Sequence, residues 1–275
     1  KTRLALAAGE ELARELADGA VFVDLAPVSD PRLVLDAIAR ELRVPEDDGA
    51  LLDVVCAHVR DRSLLLVLDN FEQVLDAADV VSRLLAAAAR LRVLATSRVP
   101  LRLSGEHEYP VPPLPVPQPG PATFEEVASN EAVRLFAARA RAVDPQFQLT
   151  EENLARVAAI CRRLDGLPLA IELAAARTRV LPPAAIEQHL GHALDVLGEG
   201  PRDAPARQRT LRATLDWSYR LLDVPVQAAF TALAVFAGGF SLDAAGVVLG
   251  AGGALVPTLG ALVDASLVRR VGAGA

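Results

Sequence analysis

The chain has 275 residues, of which 52% are hydrophobic, and a formal net charge of −7. That length exceeds one compact domain, so two or three cooperating units with ample core material are expected. The acidic balance excludes the positive field of a non-specific nucleic-acid binder, and no apolar run reaches the ~20 residues of a membrane-spanning helix. Cys56 and Cys161 lie far apart and read as small buried hydrophobes in a reducing compartment, not as a disulfide framework. No signal-peptide pattern opens the chain, and a cytoplasmic location is expected. There is no Met, and the only Lys is Lys1, so the natural start is expected upstream and the chain reads as a fragment.

In chain order, residues 3–17 carry Leu4, Leu12 and Leu16 at helical spacing, with Glu10, Glu11 and Glu15 turned outward. Ala20 to Leu25 reads as a buried strand. A helix starts at Pro31 behind an Asp30 cap, and another covers Leu51 to Val59. Leu64 to Leu68 is an unbroken apolar run ending at Asp69, the signature of a central parallel strand covered on both faces. A helix over 78–89 and a strand over Leu91 to Thr96 complete an alternation that predicts a parallel α/β sheet. The segment Pro110 to Pro121 is too proline-rich for helix and marks a domain boundary as edge strand or extended linker. Helices are then expected over 130–143, 150–164, 168–179, 183–190 and 210–222, with Thr150 and Asn153 forming a plain cap. The block from Arg207 to Arg270 reads as short helices around a Gly238-Gly239 turn.

Several residues are candidates for chemistry. Lys1-Thr2 matches the tail of a phosphate loop, GxxxxGK[ST], in which Lys neutralises phosphate and the hydroxyl ligates Mg²⁺. Taken alone, the dipeptide reads as no more than the start of a helix. Asp69, an acid at the end of an apolar strand, fits a rigid Mg²⁺-holding carboxylate and also an ordinary strand-end cap. Asn70 and Glu72 follow; either could position an attacking water, although Asn is no base and Glu72 also reads as a solvated acid. Arg98, in Thr96-Ser97-Arg98 at the next strand end, could reach a γ-phosphate or be a surface residue. Gly166-Leu167-Pro168 is fully explained as a joint between two helices.

The order of these motifs carries more than any one of them. The KT tail, LLLVLDNFE, LRVLATSR and GLPLAIELAAAR resemble the NB-ARC-like module of STAND-type signalling ATPases. That module is common in large bacterial transcriptional regulators of the LuxR and antibiotic-regulator types. VFVDLAPVSDP, SGEHEYPVPPL, RQRTLRATLDWSYRLL and FAGGFSLDAA are also similar to this family, so the resemblance covers essentially the whole chain.

The resemblance implies an α/β P-loop NTPase sheet lacking its first strand (1–118), then a helical domain (119–200) and a winged-helix domain (201–275). It implies that Lys1 and Thr2 meet the phosphates, Thr2 and Asp69 hold Mg²⁺, Arg98 senses the γ-phosphate and Pro168 contacts adenine. Asp69, Asn70 and Glu72 are the implied catalytic positions. Asn70 stands where many members carry a second acid, so slow or no hydrolysis is expected. The implied cofactors are ATP or ADP with Mg²⁺. ADP would tie the α/β and helical domains closed, and ATP would favour an open, self-associating form. DNA would be met only through domains outside this chain, and no membrane is involved. Two alternatives stay open: a DNA-binding winged-helix regulator, or an inert scaffold of the same fold. The resemblance also leads us to expect the missing P-loop strand beside Leu64–Leu68, leaving an unfilled slot there.

Overall fold

The computed structural model describes residues 1–45, 49–190, 215–216, 219–220, 222–236, 239–250, 254–265 and 267–268. The chain divides into two compact units, Lys1–Pro110 with Ala228–Ala275, and Val111–Gln227.

In the first unit the apolar runs become a three-stranded parallel sheet in the order β1 (Ala20–Asp24), β2 (Leu65–Asp69), β3 (Arg92–Ala95). Every residue of β2 is buried, as its unbroken hydrophobicity requires. Alternation then decides which helix each side chain meets. Leu65 and Val67 face α1 (Thr2–Ala13) through Ala5, with Leu12 and Leu16 packed alongside. Leu64, Leu66 and Leu68 face the opposite layer of α2 (Val34–Glu41), α3 (Leu51–Val59) and α4 (Ala78–Ala87). Burying each such Leu contributes roughly 1.5–3 kcal/mol. Gly9 lets α1 approach the sheet closely, since a Cβ there would lie 3.3 Å from Val67 Cγ2.

The expected slot beside β2 is absent. β2 pairs in parallel with β1 from Ala20↔Leu65 to Asp24↔Asp69, and with β3 from Leu65↔Arg92 to Leu68↔Ala95. The bonds Leu65 N–H to Gly19 O (3.0 Å) and Thr96 N–H to Leu68 O (2.9 Å) extend the two ladders beyond the strands. With both edges of β2 saturated, a further strand could join only at the outer edge of β1 or β3. The assumption that a P-loop strand neighbours β2 is therefore corrected.

The first helix ends at Ala13, short of residue 17, because Gly19 turns the chain with φ +71° toward β1. The helix expected from Pro31 begins as one 3-10 turn (Pro31–Leu33), with the Asp30 carboxylate accepting from Arg32 N–H at 2.9 Å. α2 then ends in a Schellman-type cap: Arg43 sits at φ 53° and Val44 N–H donates to Ala39 O at 2.9 Å.

The second unit is helical: α5 (Phe124–Ala128), α6 (Glu131–Val143), α7 (Glu151–Arg163), α8 (Pro168–Ala175) and α9 (Pro183–His189). Phe136, Val157, Ile160, Ile171 and Ile186 form its core. The periodicity gave no separate α5; it starts at a capping box in which Thr123 Oγ1 accepts from Glu126 N–H and Glu126 Oε2 accepts from Thr123 N–H. At Thr150 the cap is also reciprocal, not plain. Thr150 Oγ1 accepts from Asn153 N–H, while Asn153 Oδ1 accepts from Thr150 N–H at 3.0 Å.

The proline-rich segment is neither helix nor strand, and its later part belongs to this core. Leu114 and Val116 pack against it, Leu114 N–H donates to Gly166 O at 3.0 Å, and Arg162 Nη1 donates to Pro117 O at 3.3 Å. At the α7–α8 joint Asp165 takes φ 50° and Gly166 φ 67°. Asp165 N–H donates to Arg162 O at 2.9 Å and Gly166 N–H to Cys161 O at 3.1 Å, which satisfies the last carbonyls of α7.

Farther on, α10 (Val224–Leu233), α11 (Leu242–Leu249) and α12 (Leu255–Asp264) follow, and α10 spans the division at Ala228. Gly246 brings α11 against α12, where a Cβ would lie 3.3 Å from Leu255 Cδ2. Among the described residues of 201–275 there are helices and no strand, so the ribbon of a winged helix is not seen there. Most of the expected helix over 210–222, together with Arg207, Arg209, Arg212 and Gly238, lies outside the described residues.

Candidate functional site

The carboxyl ends of β2 and β3 and the N-terminus of α1 converge on one small polar cluster. Parallel strands deliver their last residues to the same edge of the sheet, and helix α1 points its first turn there.

Asp69 is the centre. It is 3% exposed, yet each oxygen finds donors. Oδ1 accepts from Thr96 Oγ1 at 2.5 Å; Oδ2 accepts from Thr2 Oγ1 at 3.0 Å and from Asn70 Nδ2 at 2.8 Å. Such bonds are what allow a carboxylate to stay buried. Thr96, itself 8% exposed, does two tasks at once, because its Oγ1 also accepts from Asn70 N–H at 3.0 Å.

Asn70 takes a left-handed conformation, φ 65° and ψ 46°. Asn tolerates this better than most residues. The turn swings Phe71 into the core, where it is fully buried and its N–H donates to Thr96 O at 2.9 Å. It also sends the chain into a 3-10 turn (Phe71–Gln73) carrying Glu72 and Gln73. Gln73 Nε2 then ties the segment after β1 by donating to Leu25 O and, at 2.9 Å, to Val28 O.

The solvated reading of Glu72 is corrected. Its side chain is only 8% exposed and its Oε1 lies 3.5 Å from Arg98 Nε, itself 22% exposed. Ser97 Oγ accepts from Val99 N–H at 3.1 Å and donates back to Val99 O at 2.5 Å, which fixes the turn that aims Arg98 inward. Lys1, at the cap of α1, donates from Nζ to Ser97 O at 2.6 Å. Lys1 lies at the surface as a whole residue, but its ammonium is tucked among protein atoms. Burial lowers its proton affinity below the usual lysine range; Glu72 opposes that shift and Arg98 adds to it.

Lys1, Thr2, Asp69, Asn70, Glu72 and Arg98 are thus brought together in the first unit; Pro168 opens α8 in the second unit. Sequence reasoning gave Thr96 no separate role and missed Gln73. A Thr directly after an apolar strand, level with a neighbouring strand-end acid, was the available signal for Thr96; nothing local marked Gln73.

Chemically, two cations and two carboxylates surround a helix N-terminus, an arrangement suited to an anion accompanied by a hard cation. Thr2 Oγ1 and Asp69 Oδ2 are 3.0 Å apart. Adjacent oxygens around Mg²⁺, each at 2.0–2.1 Å from the metal, are about 2.9 Å apart, so the pair fits two neighbouring ligand positions. Among the described residues no group of three or more His, Cys, Asp or Glu side chains could hold a metal by itself.

No family model matches the chain. It is 43% identical over 275 residues to a Mycobacterium tuberculosis protein named as a candidate HTH-type transcriptional regulator, covering 98% of this chain and 30% of that protein. A Mycobacterium bovis protein with the same type of name matches to the same extent. An uncharacterized Mycobacterium tuberculosis protein is 40% identical over 247 residues, covering 89% of this chain and 60% of that protein. The chain therefore spans about a third to three-fifths of the length of these relatives. Among the described residues no helix is long and apolar enough to cross a membrane.

Proposed function

We propose that this chain is the nucleotide-dependent switch module of a bacterial transcriptional regulator, binding ATP or ADP with Mg²⁺ and turning ATP over slowly or not at all. The observation that carries the reading is the hydrogen bond between Thr2, on the first turn of α1, and Asp69 at the end of β2. It joins a hydroxyl at a helix N-terminus to a strand-end carboxylate, the two oxygens that a phosphate-bound Mg²⁺ needs from a P-loop protein. Lys1 would meet the phosphates and Arg98 the γ-phosphate. Mg²⁺, when bound, would neutralise phosphate charge; Thr2 and Asp69 would hold it in place of their mutual bond. The regulatory half of the proposal draws on the names of the mycobacterial relatives, and with it a cytoplasmic location.

The test is nucleotide binding by the protein in its full natural length, with Asp69→Ala as the variant. Loss of Mg²⁺-dependent MgATP affinity by at least tenfold, with a smaller loss for ADP without metal, is expected. Equal losses for both, with circular dichroism unchanged, would refute a metal role for Asp69.

The second reading is a DNA-binding regulator, favoured by the HTH designation of two of the relatives. Residues 201–275 would then be the reader, and salt-dependent duplex binding by the isolated segment that vanishes on Arg209→Ala with Arg212→Ala would establish it. The nucleotide reading expects no such binding.

A further inference from the structure

We propose that Glu72 is the internal counter-anion of this switch: it holds Arg98 when no γ-phosphate is present, and an arriving γ-phosphate displaces it. The inference rests on the nucleotide reading and adds to it a residue that sets the balance between the two nucleotide states.

A glutamate side chain 8% exposed is rare without a partner, and Arg98 supplies one at 3.5 Å. The contact joins the end of β2 to the end of β3, so it spans the edge where a phosphate would enter. Both partners are held from behind. Glu72 sits in the 3-10 turn that follows left-handed Asn70 and is bounded by buried Phe71, while Arg98 follows Ser97, whose hydroxyl closes its own turn with Val99. The pair is therefore positioned by backbone, not by two wandering surface chains.

Charge then sets the logic. Lys1 and Arg98 set two side-chain cations against the carboxylates of Asp69 and Glu72. Asp69 is fully engaged by three hydroxyl or amide donors. Glu72 Oε1 faces the guanidinium, 3.5 Å from Arg98 Nε. A γ-phosphate recruiting Arg98 would bring its own negative charge beside the Glu72 carboxylate, and like charges at that distance repel in a partly buried setting. A phosphate that draws the guanidinium toward itself pulls it from Glu72 and sets two negative charges side by side, so γ-phosphate binding and the Glu72–Arg98 contact oppose each other. ADP lacks the competing group and leaves the contact intact. Glu72 in this role is a positioning residue for Arg98; it takes no proton from water.

The experiment measures affinities for Mg²⁺ with the γ-thio analogue of ATP, and for MgADP, by calorimetry on the full-length protein. Glu72→Gln keeps the shape and removes the charge. It should tighten binding of the triphosphate analogue about tenfold and leave MgADP within about twofold. Adding Arg98→Ala to Glu72→Gln should abolish the gain, because the gain acts through the guanidinium. Glu72→Asp, which keeps the charge but withdraws it by one methylene, should show a smaller gain in the same direction and serves if the Gln variant fails to fold. Equal shifts for both nucleotides would overturn the proposal. So would unchanged affinities with lost hydrolysis, which would mark Glu72 as the group acting on water. If the unaltered protein binds neither nucleotide, the switch reading itself fails and this proposal with it. That result is distinct from tight nucleotide binding on which Glu72→Gln has no effect.

Discussion

Replacing Gly166 by Ala tests the packing of the second unit at its most constrained point. Gly166 has φ +67°, a region an L side chain enters at a cost of roughly 1–2 kcal/mol. Its new Cβ would land on the carbonyl oxygen of Leu114 and lie 3.1 Å from the Leu114 carbonyl carbon. Backbone cannot rotate away as a side chain tip can, so the Leu114 strap must lift. Lifting it breaks the Leu114 N–H bond to Gly166 O, worth about 0.5–1.5 kcal/mol net. It also withdraws part of the Leu114 and Val116 packing, on the order of 1–2 kcal/mol. The sum is about 2.5–5.5 kcal/mol, a large share of the 5–15 kcal/mol that holds a domain together. Urea unfolding followed by helical ellipticity at 222 nm gives the loss directly. Leu114→Ala in the same background should add little, because the strap has already lifted; a coupling of at least about 1 kcal/mol is expected. If Gly166→Ala lies within about 0.5 kcal/mol of the unaltered chain, the close approach of Leu114 to this joint does not exist, and the reasoning fails.

Two further outcomes follow from the buried groups. Thr96→Val removes the hydroxyl that both donates to Asp69 and accepts from Asn70 N–H, and should cost about 1–3 kcal/mol by the same denaturant assay; Thr96→Ser should recover most of it. Burial pushes the Cys161 thiol up to about 12, from a usual value of 9.0. The unfolded thiol ionises first, so its contribution to stability is complete below pH 9 and is lost as pH rises toward 12. Unfolding midpoints measured between pH 8 and 11 should fall more steeply for the unaltered chain than for Cys161→Ala, and equal slopes would refute the burial argument.

Much of the architecture was legible in the chain itself, because local pattern reports local surroundings. A short apolar run without alternation, Leu64–Leu68, reads as a strand covered on both faces, and β2 is buried throughout. The helix from Leu51 to Val59 and the cap at Asp30 lie where spacing and side-chain chemistry put them. The polar residues at the ends of β2 and β3 stand out in the sequence alone, since parallel strands present their last residues on one edge.

The neighbours were decided only by the tertiary structure. Periodicity says that a face is covered but never by which segment, so the central place of β2 between β1 and β3 was not readable, and the strand order first expected was wrong. For the same reason the sequence left Glu72 open between a functional acid and a solvated one; the structure buries it against Arg98, 26 positions along the chain. A charge in sequence carries no record of its burial. The proline-rich segment signalled a break in helix and strand, because proline lacks an N–H and fixes φ. That Leu114 within it would bond to Gly166, 52 residues away, depended on a left-handed glycine leaving room for its carbonyl, a fit that exists only once α7 and α8 have packed.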